Sequence, residues 1–228
     1  MHRLMLDTAN LDEIAANLKA LPVTGVTTNP TILLREGKID VYSHLAAIKE
    51  LCGKGGCLHV QVMSDDTDTM IKEAHRILER LGNDEIYIKI PATEQGIAAI
   101  KVLSAQGVKV TATAVFSVYQ GMMAALAGAE YIAVYFNRLQ KQGGYPDQVI
   151  RELRNFIDDT GSSAKILAAS FKTPAQVVHV FECGAHSATV DPSVLMEGLS
   201  AAITEQAVAN FARDTAALCG GGKTMLDL

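Results

Sequence analysis

The amino-acid sequence predicts a single (β/α)8 barrel. Eight short runs rich in β-branched and aromatic residues alternate with longer helical stretches, within about 190 residues. The runs are apolar almost throughout, as expected of a parallel sheet covered on both faces. A doubly wound open sheet is the competing architecture, but no GxGxxG follows the first strand and no GxxxxGK[ST] occurs in the chain.

In chain order, the expected strands are 3–7 (RLMLD), 24–28 (TGVTT), 57–63 (CLHVQVM) and 86–90 (IYIKI). Four more follow at 108–114 (VKVTATA), 130–136 (EYIAVYF), 165–170 (KILAAS) and 187–190 (SATV). Residues 67–81 carry apolar side chains at helical spacing, at Met70, Ala74, Ile77, Leu78 and Leu81. Thr67 is the expected N-cap there, and Gly82 the residue just past the end. Helices at 94–105, 117–127 and 145–160 stop before Gly107, Gly128 and Gly161. A helix at 174–183 starts on Pro174, a favourable first-turn residue, and stops before Gly184. An extra helix at about 200–217 follows the eighth unit, where it can cover the barrel mouth or dock on another subunit. No Gly/Ser linker or low-complexity tract divides the chain, so 1–228 reads as one domain.

Composition narrows the functional classes. The chain has 228 residues, 49% of them hydrophobic and 20% charged, which excludes a disordered or fibrous protein. Net charge is −5, from 20 Lys and Arg against 25 Asp and Glu. That argues against general affinity for nucleic acid or anionic membranes, while local basic groups remain able to bind a phosphate. Cysteines at 52, 57, 183 and 219 form no CxxC pair and read as reduced packing residues of a cytoplasmic protein. The first residues, MHRLMLDTAN, reach Asp7 before an apolar region of signal length, so no secretory signal is expected. No run approaches the roughly 18 apolar residues of a membrane span.

The C-terminal ends of barrel strands meet at one face, where active sites form. Read in order, those ends carry Asp7, Asn29, Gln61, Lys89, Thr113, Tyr135 with Arg138, and Ser170. Polar residues commonly end strands because turns begin there, yet several of these lie inside apolar runs. Lys89 is the clearest case, with Ile86, Tyr87 and Ile88 before it and Ile90 after it. Lys is almost never fully buried without a partner. Snorkelling to the sheet edge, or pairing with a carboxylate such as Asp7, is the structural alternative. An ammonium taken out of water loses hydration, which favours the free amine. A free amine attacks a carbonyl to form an imine, an electron sink for breaking a neighbouring C–C bond. The six His show no HxxxH or HExxH spacing, so no metal site is expected. His59, two residues before Gln61, should face the barrel interior as a hydrogen-bonded core residue.

The segments LDTAN (6–10), GVTTNPTIL (25–33), QVM (61–63), IKIPAT (88–93), TAV…QG (113–121), ALAGAEYIA.Y.NR (125–138), QGG (142–144) and LAASFKTP (167–174) resemble the small transaldolase family. The match is best to its fructose-6-phosphate aldolase branch and runs in order along nearly the whole chain. The resemblance implies a (β/α)8 barrel and a class I Schiff-base mechanism acting on a sugar phosphate, with no metal or cofactor. It also implies a ring-like homo-oligomer, a pentamer or decamer, whose C-terminal helix reaches a neighbour. It makes Lys89 the imine-forming lysine, and Asp7 and Asn29 binders of donor hydroxyls, with Asp7 assisting proton movement. Gln61, Thr113 and Tyr135 would hold a water for acid–base steps, and Arg138 and Ser170 the phosphate.

Gln61 and Tyr135 stand where transaldolases of the family carry Glu and Phe, and Asn137 where they tend to carry Gly. The resemblance thus favours an aldolase forming or cleaving fructose 6-phosphate from dihydroxyacetone and glyceraldehyde 3-phosphate. The alternative is a pentose phosphate transaldolase, which passes the dihydroxyacetone unit to an aldose phosphate. Departures from the family pattern are Val134, the segment Lys109–Thr113 (KVTAT), the stretch Thr31–Arg35, and His59 in place of an apolar residue. Arg35 reads as a solvated helix residue, with a second anion contact as the alternative.

Overall fold

A computed structural model describes residues 3–227; Met1, His2 and Leu228 of the expected 1–228 domain lie outside them. The strands are β1 (Arg3–Asp7), β2 (Val23–Thr27), β3 (Cys57–Gln61), β4 (Ile86–Pro91), β5 (Val110–Val115), β6 (Tyr131–Tyr135), β7 (Lys165–Ala169) and β8 (Ser187–Val190). They close into a barrel in chain order, with every neighbouring pair parallel. The seam runs from Arg3 opposite Ser187 to Leu6 opposite Val190. This is the (β/α)8 barrel expected from the sequence.

Helix α1 (Leu11–Ala20) follows β1, and two helices, α2 (Pro30–Arg35) and α3 (Val41–Cys52), follow β2. The next are α4 (Thr67–Leu81), α5 (Glu94–Ala105) and α6 (Val118–Leu126). Helices α7 (Phe136–Lys141) and α8 (Pro146–Thr160) separate β6 from β7, and α9 (Pro174–Glu182) precedes β8. After β8 come α10 (Pro192–Leu199) and α11 (Ala202–Cys219). Helices α2 and α7 are only six residues long, too short to display a helical period in the sequence.

Several boundaries differ from expectation for identifiable reasons. The third strand stops at Gln61 because the Glu73 carboxylate takes the backbone N–H groups of Met63 (2.7 Å) and Ser64 (3.1 Å). The fifth strand starts at Val110 because Val108 still closes the preceding helix, donating its N–H to the Leu103 carbonyl at 3.0 Å. The N-cap of α4 is Asp66, not Thr67. Its carboxylate accepts the Thr69 N–H at 2.9 Å, while the Thr67 hydroxyl donates to the Gln95 carbonyl at 2.9 Å.

The main core lies between the barrel wall and the helices. Leu6, Ile88 and Ile90 point outward from the strands against residues such as Ile14, Ile100 and Leu153. Each such side chain contributes about 1.5–3 kcal/mol by leaving water. A second cluster, Met5, Cys57, Tyr87, Tyr131 and Leu167, fills the barrel interior. Gly25 lets β2 approach β3 closely, since a Cβ there would collide with the Cys57 thiol and carbonyl.

Helix α11 stands apart from this core. None of its residues is buried, and Ile203, Val208, Phe211 and Leu218 are exposed. Among the described residues no helix is long and apolar enough to cross a membrane.

Candidate active site

A cavity of about 280 Å³ opens at the C-terminal ends of the strands. Six of the expected residues line it: Asp7, Asn29, Lys89, Tyr135, Arg138 and Ser170. Thr113 lies behind Tyr135, with its hydroxyl 3.0 Å from the phenol oxygen. Gln61 stands beside Lys89 in the β3–β4 register, but it lines a separate groove with Val62, Met63 and Glu73.

Lys89 is an inward-facing residue of β4 and is 4% exposed. Its Nζ donates to the Thr28 carbonyl at 2.7 Å. The side chain has therefore neither snorkelled to an edge nor formed an ion pair within 4 Å. This hydrogen bond anchors the amine, and the cavity lies against it.

Asp7 ends β1. The Thr27 hydroxyl donates to its carboxylate at 2.7 Å, and the Thr189 hydroxyl lies 2.7 Å from Thr27 Oγ1. With Asp7 ionised, Thr27 spends its proton on the carboxylate, which leaves Thr189 as the donor to Thr27. Burial raises the Asp7 pKa above the ordinary carboxylate value. The Lys89 charge and the Thr27 hydrogen bond pull it back, and Asp191 adds to the rise. A carboxyl that holds its proton more tightly than usual suits acid–base work.

Asn29 has two tasks set by one amide. Its Oδ1 accepts the Ile32 N–H at 2.9 Å and so caps α2. Its NH2 group has no protein partner among the described residues and is left for the cavity it lines.

Tyr135 ends β6, with its ring edge-on to Phe116 at 5.6 Å. The Arg138 guanidinium sits 4.9 Å from the centre of the same ring. Such stacking holds the charge in place while leaving its five N–H donors in plane for an anion. Ser170 follows β7 in the left-handed region, at φ 68°. That conformation disfavours a side chain with a Cβ and recurs at functional sites. The Ser170 carbonyl accepts the Asn137 N–H at 2.9 Å, which ties the start of α7, and so Arg138, to the end of β7.

The residue behind Thr113 has a comparable irregularity. Register between β5 and β6 shifts between Ala112 and Val115, and Ala114 adopts φ 55°. A bulge of this kind re-aims the neighbouring side chain, and Thr113 ends buried against the phenol.

His59 faces the interior as expected and is fully buried. Its Nδ1 lies 2.8 Å from the Thr111 hydroxyl. The ring stacks on Tyr87 at 4.5 Å and meets the Tyr131 edge at 5.3 Å. Burial, helped by the Lys89 charge, pushes its pKa down to about 3, so the imidazole is neutral. Hydrogen bonding is satisfied on one nitrogen only: Nε2 is buried without a partner among the described residues.

Sequence reasoning missed Thr27, Thr189, Asp191, Lys141 and Lys172, all of which line the cavity. Alternation along SATVD puts Thr189 and Asp191 on one face of the eighth strand end, a signal that was available. Arg35 is exposed as expected, but it also lines the cavity. Among the described residues no three His, Cys, Asp or Glu stand close enough to hold a metal ion. The site thus offers a buried amine, a carboxyl with raised proton affinity, a phenol, and unpaired cations at its rim.

Residues 4–220 match the family described as Transaldolase/Fructose-6-phosphate aldolase. A protein from Streptococcus pneumoniae named probable fructose-6-phosphate aldolase is 43% identical over 210 residues, covering 92% of this chain and 94% of that one. Among solved structures, a mandelate oxidase mutant with a monooxide FMN adduct matches with a TM-score of 0.59 over 96% of this chain and 75% of that one. At 14% identity this last likeness is one of fold.

Proposed function

The chain belongs to the transaldolase/fructose-6-phosphate aldolase family, and from that premise we propose that it is a class I aldolase acting on fructose 6-phosphate. The observation that carries this reading is Lys89, an amine 4% exposed on the inner wall of the barrel and bordering the cavity.

In the cleavage direction, the Lys89 amine adds to the C2 carbonyl and water leaves, forming an iminium. Asp7 and the Asn29 amide hold the hydroxyls of the donor half. Loss of the C4 hydroxyl proton to a base breaks the C3–C4 bond, and that electron pair moves into the iminium to give an enamine. Glyceraldehyde 3-phosphate departs, its phosphate released from Arg138 and Ser170. Protonation of the enamine carbon and hydrolysis then free dihydroxyacetone and the amine. Tyr135, backed by Thr113, supports the protonation step; Gln61, which lines the separate groove, is given no part in it.

Transaldolases of the family pass the same three-carbon unit to an aldose phosphate. A phenol bordering the cavity favours release over transfer, because it supplies the proton that ends the enamine's life. A product assay on fructose 6-phosphate tests this. Dihydroxyacetone and glyceraldehyde 3-phosphate should accumulate without any acceptor. Product formation that requires erythrose 4-phosphate would make the enzyme a transaldolase.

We also propose a cytoplasmic homo-oligomer built from one barrel domain. All four cysteines are free thiols, and α11 exposes Ile203, Val208, Phe211 and Leu218, a suitable contact for a neighbouring copy.

A further inference from the structure

Two carboxylates line the cavity, Asp7 and Asp191. Asp7 has a place in the proposed reaction, and Asp191 has none. Leu6 pairs with Val190 at the barrel seam, and both side chains turn outward into the main core. The next residue on each strand therefore turns inward, so Asp7 and Asp191 stand side by side where β1 and β8 end.

The two carboxyls are held differently. Asp191 Oδ1 accepts the Ser193 N–H at 3.0 Å and the Ser193 hydroxyl at 2.6 Å, which caps α10 and fixes the side chain. Asp191 is partly buried, and its Oδ2 has no protein partner among the described residues. Capping asks for an acceptor and not for a charge, and Asn serves there as well as Asp. The cap therefore accounts for the hydrogen bonds of Asp191 and leaves its charge beside Asp7 without a task.

Asp7 is faced from several elements. Thr27 of β2 donates to it, and Thr189 of β8 stands behind Thr27. Burial is the strongest influence on the Asp7 carboxyl and makes it hold its proton more tightly. Lys89 of β4 and Arg35 of α2 are cations that act the other way, and the Asp191 charge opposes them. Asp191 is the one anion among these groups. Without it, the two cations would return Asp7 toward an ordinary carboxylate. Such a carboxylate is a poor proton carrier near neutral pH, because acid–base catalysis works best when proton affinity matches the working pH.

We propose that Asp191 is a positioning residue that acts through Asp7: its fixed charge at the barrel seam keeps Asp7 able to take up and return a proton while two cations face it. Asp7 gains and loses that proton in turn, so each turnover leaves both carboxyls as they began. The inference rests on the aldolase reading above and deepens it, by naming the group that sets the proton affinity of Asp7.

The test compares the pH profile of fructose 6-phosphate cleavage in the wild type, Asp191→Asn and Asp191→Glu. Asn keeps the cap and removes the charge. In Asp191→Asn, kcat should fall by about 10-fold at neutral pH, part of the roughly 10²–10⁴-fold that a positioned acid–base group supplies. The limb of the profile that reports Asp7 should move to lower pH, since the anion that strengthened its hold on the proton is gone. NMR of the Asp7 carboxyl carbon, identified by its loss in Asp7→Asn, should show the same displacement without substrate. Asp191→Glu keeps the charge and should return both readouts toward the wild type, although the longer side chain caps α10 less well and should lower Tm. A structural role alone would move Tm and leave the limb and the carboxyl signal in place. An unmoved Asp7 titration in Asp191→Asn would overturn the proposal, as would slower cleavage with an unmoved limb. A wild type that cleaves nothing and leaves no borohydride-trapped adduct would remove the aldolase reading, while the Asp7 titration would still decide whether Asp191 governs that carboxyl.

Discussion

The phenol of Tyr135 and the hydroxyl of Thr113 meet at 3.0 Å between the ends of β6 and β5. Tyr135 borders the cavity and Thr113 is buried behind it. One of the two donates to the other. When Thr113 donates, the Tyr135 proton is free to face the cavity. In that arrangement the pair is a phenol held by a buried partner with its hydrogen turned toward the cavity.

Removing that hydrogen tests the proton supply. Tyr135→Phe should reduce dihydroxyacetone release by about 10²–10⁴-fold, the usual range for a lost general acid. It should also raise the share of transfer product when erythrose 4-phosphate is present. An unchanged product ratio would mean that the phenol does not decide between release and transfer. The variant also strands the Thr113 hydroxyl, at a cost of about 1–3 kcal/mol for an unsatisfied buried group.

Lys89→Met keeps the length of the side chain and removes its amine. Cleavage should fall to background, and borohydride reduction in the presence of substrate should leave the protein mass unchanged. Continued labelling at a single site would assign the imine to another lysine. The fold should survive, since Met fills the same space and the loss is one hydrogen bond to the Thr28 carbonyl.

Asp7→Asn separates function from stability. The folded carboxyl has a raised pKa, so folding favours its protonated form. That contribution is complete below the ordinary value of 3.8 and is lost as pH rises through the folded value. At pH 7 the ionised group therefore costs stability, and a neutral amide in its place removes the cost. Asp7→Asn should melt above the wild type at pH 7, with the gap closing toward acid pH, while kcat drops by about 10²-fold or more. A lower Tm at neutral pH would show that attraction to Lys89 outweighs burial.

His59 predicts an acid-sensitive fold. It stays neutral to about pH 3 when folded but takes up a proton near its ordinary 6.5 when unfolded. The unfolded state then binds more protons from pH 6.5 downward. Stability should fall through that window by about 1.4 kcal/mol per pH unit from this group alone. Replacement by Phe, which keeps the stack on Tyr87, should flatten the slope between pH 6 and 4 in urea titrations. An equal slope in both proteins would place the acid sensitivity elsewhere.

Much of this molecule was legible along the chain. The pattern of IYIKI, a lysine inside an apolar run, announced both a buried strand and its one unusual side chain. The alternation of apolar runs with helical stretches that stop at glycines announced eight strand–helix units. These are local signals, because alternation and helical period are written within a few residues. The family motifs added roles to positions whose chemistry was already visible.

Other features waited for the tertiary structure. Lys89 gained its anchor from Thr28, 61 residues away, and Thr27 gained Thr189 from the opposite end of the chain, 162 residues away. Gln61 turned out to line a different groove, and Arg35 turned out to face the cavity from the end of a six-residue helix. What the sequence by itself determined was the barrel and the buried lysine inside it. Only the tertiary structure decided which groups surround that amine. Side-chain direction at a strand end depends on barrel closure, on the bulge at Ala114 and on the left-handed Ser170, and none of these is set by the neighbours of a residue in the chain.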